Sequence, residues 1–308
     1  MLGFLSNIIY ATVRMAVPLL FISMAELYSE RAGMVNIGLE GLAVIGSLCG
    51  FLMSFITGSV WIGILCGALV GILINLIYAY ATISLCANQI VYGMAINILA
   101  PAVASFVYRI YFGDGSSLNQ ISLMKTISIP GLKNIPLIGP LLFDQTPMVY
   151  LAIILVIFTA IFFNRSKAGL NYKAVGEHPK AAATLGIPVI GTKYLACIIC
   201  GALSGIGGAY LTTCYSTTYT EGIVSGRGFI ALAAVIFGRW SSGGILIACL
   251  FFGLCDAAQI RLQVSSLSIP YQFFQMIPYL ATIIVLALVG SKQAGPKANG
   301  NPYRKEER

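Results

Sequence analysis

Long apolar runs alternate with short polar breaks along the chain, and the spacing of the breaks sets its architecture. Val35–Ile56, Val60–Leu85 and Ile90–Phe112 each hold the roughly 20 residues that cross the hydrocarbon of a bilayer. Met148–Phe163, Tyr194–Thr213, Gly243–Ile260 and Tyr271–Val289 read as further spans. Two runs are short. As helices, Met15–Tyr28 would rise about 21 Å and Phe229–Gly238 about 15 Å, against about 30 Å of hydrocarbon. Neither crosses alone, so the adjoining loops are expected to fold partway into the membrane. Met1–Arg14 is weakly amphipathic and is expected at a membrane surface. The pattern predicts an all-α polytopic membrane protein with about nine hydrophobic segments and eight to ten spans.

Composition agrees: 58% of residues are hydrophobic, 9% are charged and the mean hydropathy is +0.89. A soluble domain is about half apolar and about a quarter charged. No basic region with a cleavage site precedes the first apolar run, so no removable signal peptide is expected. The +8 net charge is not a nucleic-acid footprint, because 10 of the 18 bases lie in the segment 164–194 and in the tail 292–308. Asn164–Tyr194 carries Arg165, Lys167, Lys173, Lys180 and Lys193 against Glu177 alone, which marks a cytoplasmic loop by the positive-inside rule. Counting outward from it places twelve of the eighteen bases on the cytoplasmic side and makes 113–147 an external loop. Residues 1–290 then form the transmembrane domain, and 291–308 are expected to be a disordered, basic cytoplasmic tail.

Catalytic chemistry finds little support. All eight cysteines lie within or beside apolar runs, and Cys197-x-x-Cys200 has no second pair and no histidine nearby. They read as small buried hydrophobes, with no metal site expected. The single histidine, His178, sits in the 164–194 loop, so no His-based triad is expected. No Gly-x4-Gly-Lys-Ser/Thr occurs, so the chain has no P-loop to cradle ATP phosphates. The chain is not expected to be an enzyme.

Packing signals are clearer. Gly63, Gly67 and Gly71 make one smooth helix face continued by Asn75, and Gly201, Gly205 and Ala209 make a second. Small faces allow close backbone approach in lipid, so both should point into the bundle. Asn97 stands one turn before Pro101, whose missing N–H leaves the Asn97 carbonyl free to kink the helix or line a polar path. Ser29–Gly41 and Thr220–Gly238 both interrupt apolar runs with Gly, Asn or Ser and carboxylates. Gly33-Met34-Val35-Asn36 parallels Gly222-Ile223-Val224-Ser225, with five predicted spans between them. An odd number of spans gives opposite orientations, the pattern of an inverted repeat with broken helices at a substrate site.

Within the 164–194 loop, Pro179 suits a first helical position, Ala181, Ala182, Ala183 and Leu185 are helix formers, and Gly186 with Pro188 stops the helix. A short alanine-rich helix suits insertion into a groove on another protein. Otherwise it is a solvated loop helix.

The motifs SERAGMVNIGLEG, NQIVYGMAIN, VGEHPKAAATLGIPV, SGIGGAYL and SGRGFIALAAVIFGRW resemble, in order from about Val17 to Gln259, permeases of bacterial ABC importers for branched-chain amino acids and simple sugars. Asn36–Gly41 is similar to the nucleoside branch, where the sugar branch usually has an Asp-Leu-Ser-Val-Gly type motif. Ser241-Ser242 departs from the proline many relatives place there. The resemblance implies a multi-pass permease of the bacterial plasma membrane carrying nucleosides, with simple sugars as the alternative. Implied partners are a cytoplasmic ABC ATPase that uses ATP and Mg, a second permease copy or a related permease, and an extracytoplasmic substrate-binding lipoprotein. No cofactor is expected on this chain. Gly176–Gly186 would be the coupling helix, with Gly176, Glu177, His178, Pro179, Ala182, Ala183 and Gly186 meeting the ATPase.

Asn36 and Ser225 are good N-cap residues before apolar helical runs. The expectation is that these two N-termini face a shared cavity, with Glu40, Asn75, Asn97, Glu221 and Arg227 lining the substrate path. A nucleoside is neutral and needs hydrogen bonds, each contributing about 0.5–1.5 kcal/mol net. In the bland alternative, Asn36 and Ser225 only cap helices and Glu40 only pairs with Arg31. The rival class, an ion-coupled carrier, would use Glu26, Glu40 and Asp256 as ion sites.

Overall fold

The computed structural model describes residues 2–113, 119–128, 144–264, 276, 280, 283, 287 and 295–304. Most of the run Tyr271–Val289 and most of the loop 113–147 lie outside the described residues. Ten α-helices occur among the described residues: α1 (Leu2–Arg31), α2 (Leu39–Thr57), α3 (Val60–Ala79), α4 (Gln89–Phe112), α5 (Pro147–Arg165), α6 (Lys167–Glu177), α7 (Pro179–Thr184), α8 (Val189–Tyr210), α9 (Arg227–Phe237) and α10 (Ser242–Val264). Seven of them, α1 to α5, α8 and α10, are long and apolar enough to cross a membrane.

Two expectations change. Met15–Tyr28 is not a short half-span, because the helix continues back through the residues expected to lie on the membrane surface. At 30 residues α1 rises about 45 Å. Arg14 does not stop it, because its guanidinium donates to the Cys214 carbonyl at 2.6 Å. The other short run does stay short, as the 11-residue α9.

The packing follows the small residues. Gly67 of α3 meets Gly205 of α8, and Gly71 meets Gly201, each so close that a Cβ would strike the facing carbonyl. Residue numbers rise on one helix as they fall on the other, so the pair is antiparallel. Gly63 lies against Gly50 and Ser54 of α2, and Asn75 is fully buried. Both smooth faces point inward and pack on each other.

An internal exchange is visible in the contacts. The α1/α10 pair is antiparallel too, since Ser23 lies beside Cys249 and Ala16 beside Gly253. α2 and α8 run parallel, through Gly46–Gly205 and Gly50–Ala209. So do α1 and α9, through Ser23–Ala231 and Arg31–Trp240. Exchanging α1, α2 and α3 with α8, α9 and α10 preserves every one of these relations. That is the inverted repeat expected from the two interrupted stretches.

At one end of the bundle, α6 and α7 fold back on the spans. Ser166 accepts from the Gly169 N–H to start α6, and the Tyr172 hydroxyl donates to the Tyr28 carbonyl at 2.7 Å. Residues 295–304, part of the tail expected to be disordered, dock at the same end: the Ala298 N–H donates to the Gly176 carbonyl at 2.9 Å. At the opposite end Ile127–Ser128 pairs antiparallel with Asp144–Gln145, and the Ile121 N–H donates to the Thr217 carbonyl.

Candidate functional site

The polar groups expected along the path collect where α2 and α9 begin. Between α1 and α2, residues 32–38 are mostly buried and leave the helix. A backbone broken at membrane depth must find its partners in the protein. Here they come from three helices. Ser29 donates to the Met34 carbonyl, Gln89 accepts from the Val35 N–H, and the Tyr78 hydroxyl donates to the Val35 carbonyl at 2.6 Å. Glu26 accepts from the Asn36 N–H at 2.9 Å, and the Asn97 amide donates to the Ile37 carbonyl. The Asn36 side chain accepts from the Gly38 N–H and donates to Asn75, whose own amide donates to the Cys197 carbonyl.

Neither expected N-cap residue caps its helix. α2 is preceded by Gly38 and α9 by Gly226, the latter in the left-handed region at φ 78°. Caps arrive from across the fold. Asn97 Oδ1 accepts from the Gly41 N–H in the first turn of α2 at 2.9 Å. The Glu40 carboxylate accepts from the Gly226 and Gly228 N–H groups, both at 2.7 Å. A carboxylate suits the positive end of a helix. Glu40 is thus the cap of α9. Arg31 instead donates to the Trp240 carbonyl.

The two N-termini therefore meet, as expected, but no cavity separates them: a Cβ on Gly228 would collide with the Glu40 backbone. Asn36 and Asn75 are fully buried. The open polar groups lie to one side, on the second break. Glu221 accepts from Ser105 of α4 at 2.5 Å and lies 3.6 Å from the Arg109 guanidinium; Glu221 and Arg109 are exposed and Ser105 is half-buried. Ser225 is exposed, with φ 50°, and donates to the Gly222 carbonyl. Arg227 donates to the Ile223 and Val224 carbonyls and lies 3.8 Å from Asp256. Tyr219 anchors this loop among Phe51 and Tyr108, and burial, then the Glu221 charge, pushes its phenol up to about 12. Sequence reasoning missed Ser105, Arg109 and Tyr219, which sit on unremarkable stretches and matter only through their neighbours. Among the described residues no cluster of His, Cys, Asp and Glu could hold a metal.

At the α6–α7 end, Gly176 packs on the Arg31 carbonyl and Gly33, joining this end to the first break. Glu177 and Pro179 are half-buried, and His178 and Gly186 are exposed. Ala182 does not offer itself to a partner. It is 2% exposed, packed on Val175 and Val189, with Ala183 beside it. The face that α7 presents is Lys180, Ala181 and Thr184, ending in Leu185 at 80% exposure. Lys193, expected among the loop bases, is buried within α8 at 1% exposure. Burial, then the charge of Arg31, lowers the Lys173 ammonium from its ordinary value.

Comparison with known proteins agrees with this architecture. The nucleoside ABC transporter permease protein NupC of Lactococcus lactis is 38% identical, over 97% of this chain and 96% of its own length. The guanosine ABC transporter permease protein NupQ of Bacillus subtilis is 37% identical, over 99% and 98%. A solved inward-facing ABC transporter described as of metal-chelate type shares the fold, with a TM-score of 0.53 and 14% identity over 92% of this chain and 85% of that one. The model of one family, described as branched-chain amino acid transport system / permease component, matches residues 8–286. The chain is an integral membrane protein and belongs to this family of transporter permeases.

Proposed function

We propose that this permease carries nucleosides, along the open polar face formed by Ser105, Arg109, Glu221 and Ser225 beside the α2–α9 junction. One observation carries the substrate class: the similarity to permeases named for a nucleoside and for guanosine runs almost the full length of both chains. The site's chemistry supports it. The face mixes a hydroxyl, a carboxylate and a guanidinium that pair with one another, so it offers hydrogen bonds without a large net charge. Simple sugars, also hydroxyl-rich, are the alternative. Uptake of labelled guanosine by the assembled transporter, competed by other nucleosides and by glucose, tests the reading. Competition by glucose alone would overturn it.

The ion-coupled reading has less support. Glu40 caps a helix and Asp256 lies against Arg227, and both acids are occupied structurally.

In this reading ATP and Mg act on a separate ATPase subunit. The α6–α7 end, which gathers Arg165, Lys167, Lys173 and Lys180, faces the cytoplasm by the positive-inside rule. A second permease, the same or a related chain, and a substrate-binding lipoprotein outside complete the importer. The ATPase engages α7 through Ala181, Thr184 and Leu185. Leu185→Asp leaves the permease in the membrane but loses the ATPase and uptake. Normal association in that variant would remove α7 from the interface.

A further inference from the structure

Residues 295–304 are tied to three elements at once. Ala298 is hydrogen-bonded to Gly176 and touches Gly33, and the Asn299 amide donates to Glu30 at 3.2 Å. Glu30 also accepts from the Trp240 indole, whose ring lies against Gly295. Tyr303 packs on the cluster of Val175, Ala182 and Val189 beneath α7. Between this segment and α7 lies a cleft of about 550 Å³, lined by Glu177, His178, Lys180, Lys297, Tyr303 and Arg304 among others. Lys180, Lys297 and Arg304 bring three bases to this cleft and Glu177 one carboxylate.

We propose that this cleft is the second half of the ATPase docking face and receives an acidic ridge of that subunit. The proposal rests on the reading of α7 as the ATPase contact. Its first support is continuity: the cleft includes Lys180 and Ala181, which also belong to the exposed face of α7, so a protein seated on α7 closes over it. Charge is the second, since three bases against one acid select an acidic partner. The docked segment also gives the contact a purpose. Through Ala298 it touches Gly33, and through Asn299 it holds Glu30, so a load on the cleft reaches the first helix break.

The test compares the full chain with Lys297→Glu/Arg304→Glu and Leu185→Asp, each co-expressed with the transporter's ATPase subunit. The double reversal is expected to weaken ATPase binding about tenfold, and rising salt to erode wild-type binding toward the same level. Normal binding by the double reversal, with Leu185→Asp defective, would overturn the cleft and leave the α7 reading standing. Normal binding by both would overturn the α7 reading as well. Two further results would also end the proposal. One is tighter ATPase binding when residues 305–308 are deleted, which would show the chain's own end in the cleft. The other is a double reversal that loses phosphatidylglycerol vesicles but keeps the ATPase, which would make the cleft a lipid site.

Discussion

The two helix breaks, 32–38 and 216–226, exchange places under the internal repeat yet are held in opposite ways. The first is mostly buried, and side chains from α1, α3 and α4 pair its backbone. The second is more exposed and holds itself with local turns, as in Ile223 to Thr220 and Arg227 to Val224. Its ties to the rest are Glu40, the Ile121 N–H on the Thr217 carbonyl, the buried Tyr219 and Val224, and the Ser105–Glu221–Arg109 group. Repetition of a fold does not repeat its stiffness. A backbone paired by three neighbours opens only when several hydrogen bonds break together, whereas locally paired turns open singly. The first break is built as scaffold and the second as the part free to change.

The largest expected effect follows from joining the second break to α4. Ser105→Cys combined with Glu221→Cys, oxidised, should lower uptake at least about tenfold, with recovery on reduction. Unimpaired uptake by the cross-linked protein would show that the second break is as static as the first.

Next is Glu40→Ala, which strips two charge-assisted acceptors from the start of α9. Losing about 3 kcal/mol of stability is expected, read as a lower melting temperature in detergent, with faster exchange at the Gly226 and Gly228 amides. Unchanged exchange there would mean that the second break does not depend on this carboxylate. Asn97→Leu removes the equivalent support from the first break, leaving the Gly41 N–H and Ile37 carbonyl unpaired. A cost of about 2 kcal/mol is expected, and uptake by the surviving folded protein should stay near normal. A large uptake defect at unchanged stability would move Asn97 from scaffold to substrate contact. The smallest effect belongs to Ser225→Gly. Its left-handed backbone suits glycine, so a gain of under about 1 kcal/mol is expected, with uptake altered only if the Ser225 hydroxyl touches substrate.

Much of the fold was legible because the signals were local. Apolar length located the spans, and glycines at fourfold spacing located the seam, since a face without side chains has few other uses in lipid. What failed depended on partners distant in sequence. Asn36 and Ser225 have the right chemistry to cap, but Asn97 and Glu40 reach the N-termini first, and only the folded chain brings residues 40 and 228 together. Arg14 looked like the end of a surface helix because the carbonyl that receives it belongs to Cys214. The pattern cannot fix which way Ala182 faces, because α7, at six residues, is too short. Leu185 reads in the sequence only as a helix former, yet it stands 80% exposed at the end of α7.

The glycine seam between α3 and α8 also constrains how the protein is made. Gly71 and Gly201 stand 130 positions apart in the chain. At about 5–20 residues per second, α3 waits roughly 6–26 s after synthesis for the helix that fits it. During that interval its smooth face lies against lipid, which fills the groove poorly and gives no side-chain interlock. Biogenesis is therefore exposed at this stage: a chain halted after α5 carries the α3 half of this glycine seam without the helix that closes it. Membrane quality control would meet that fragment as an unpaired groove, well before any transport defect could be felt.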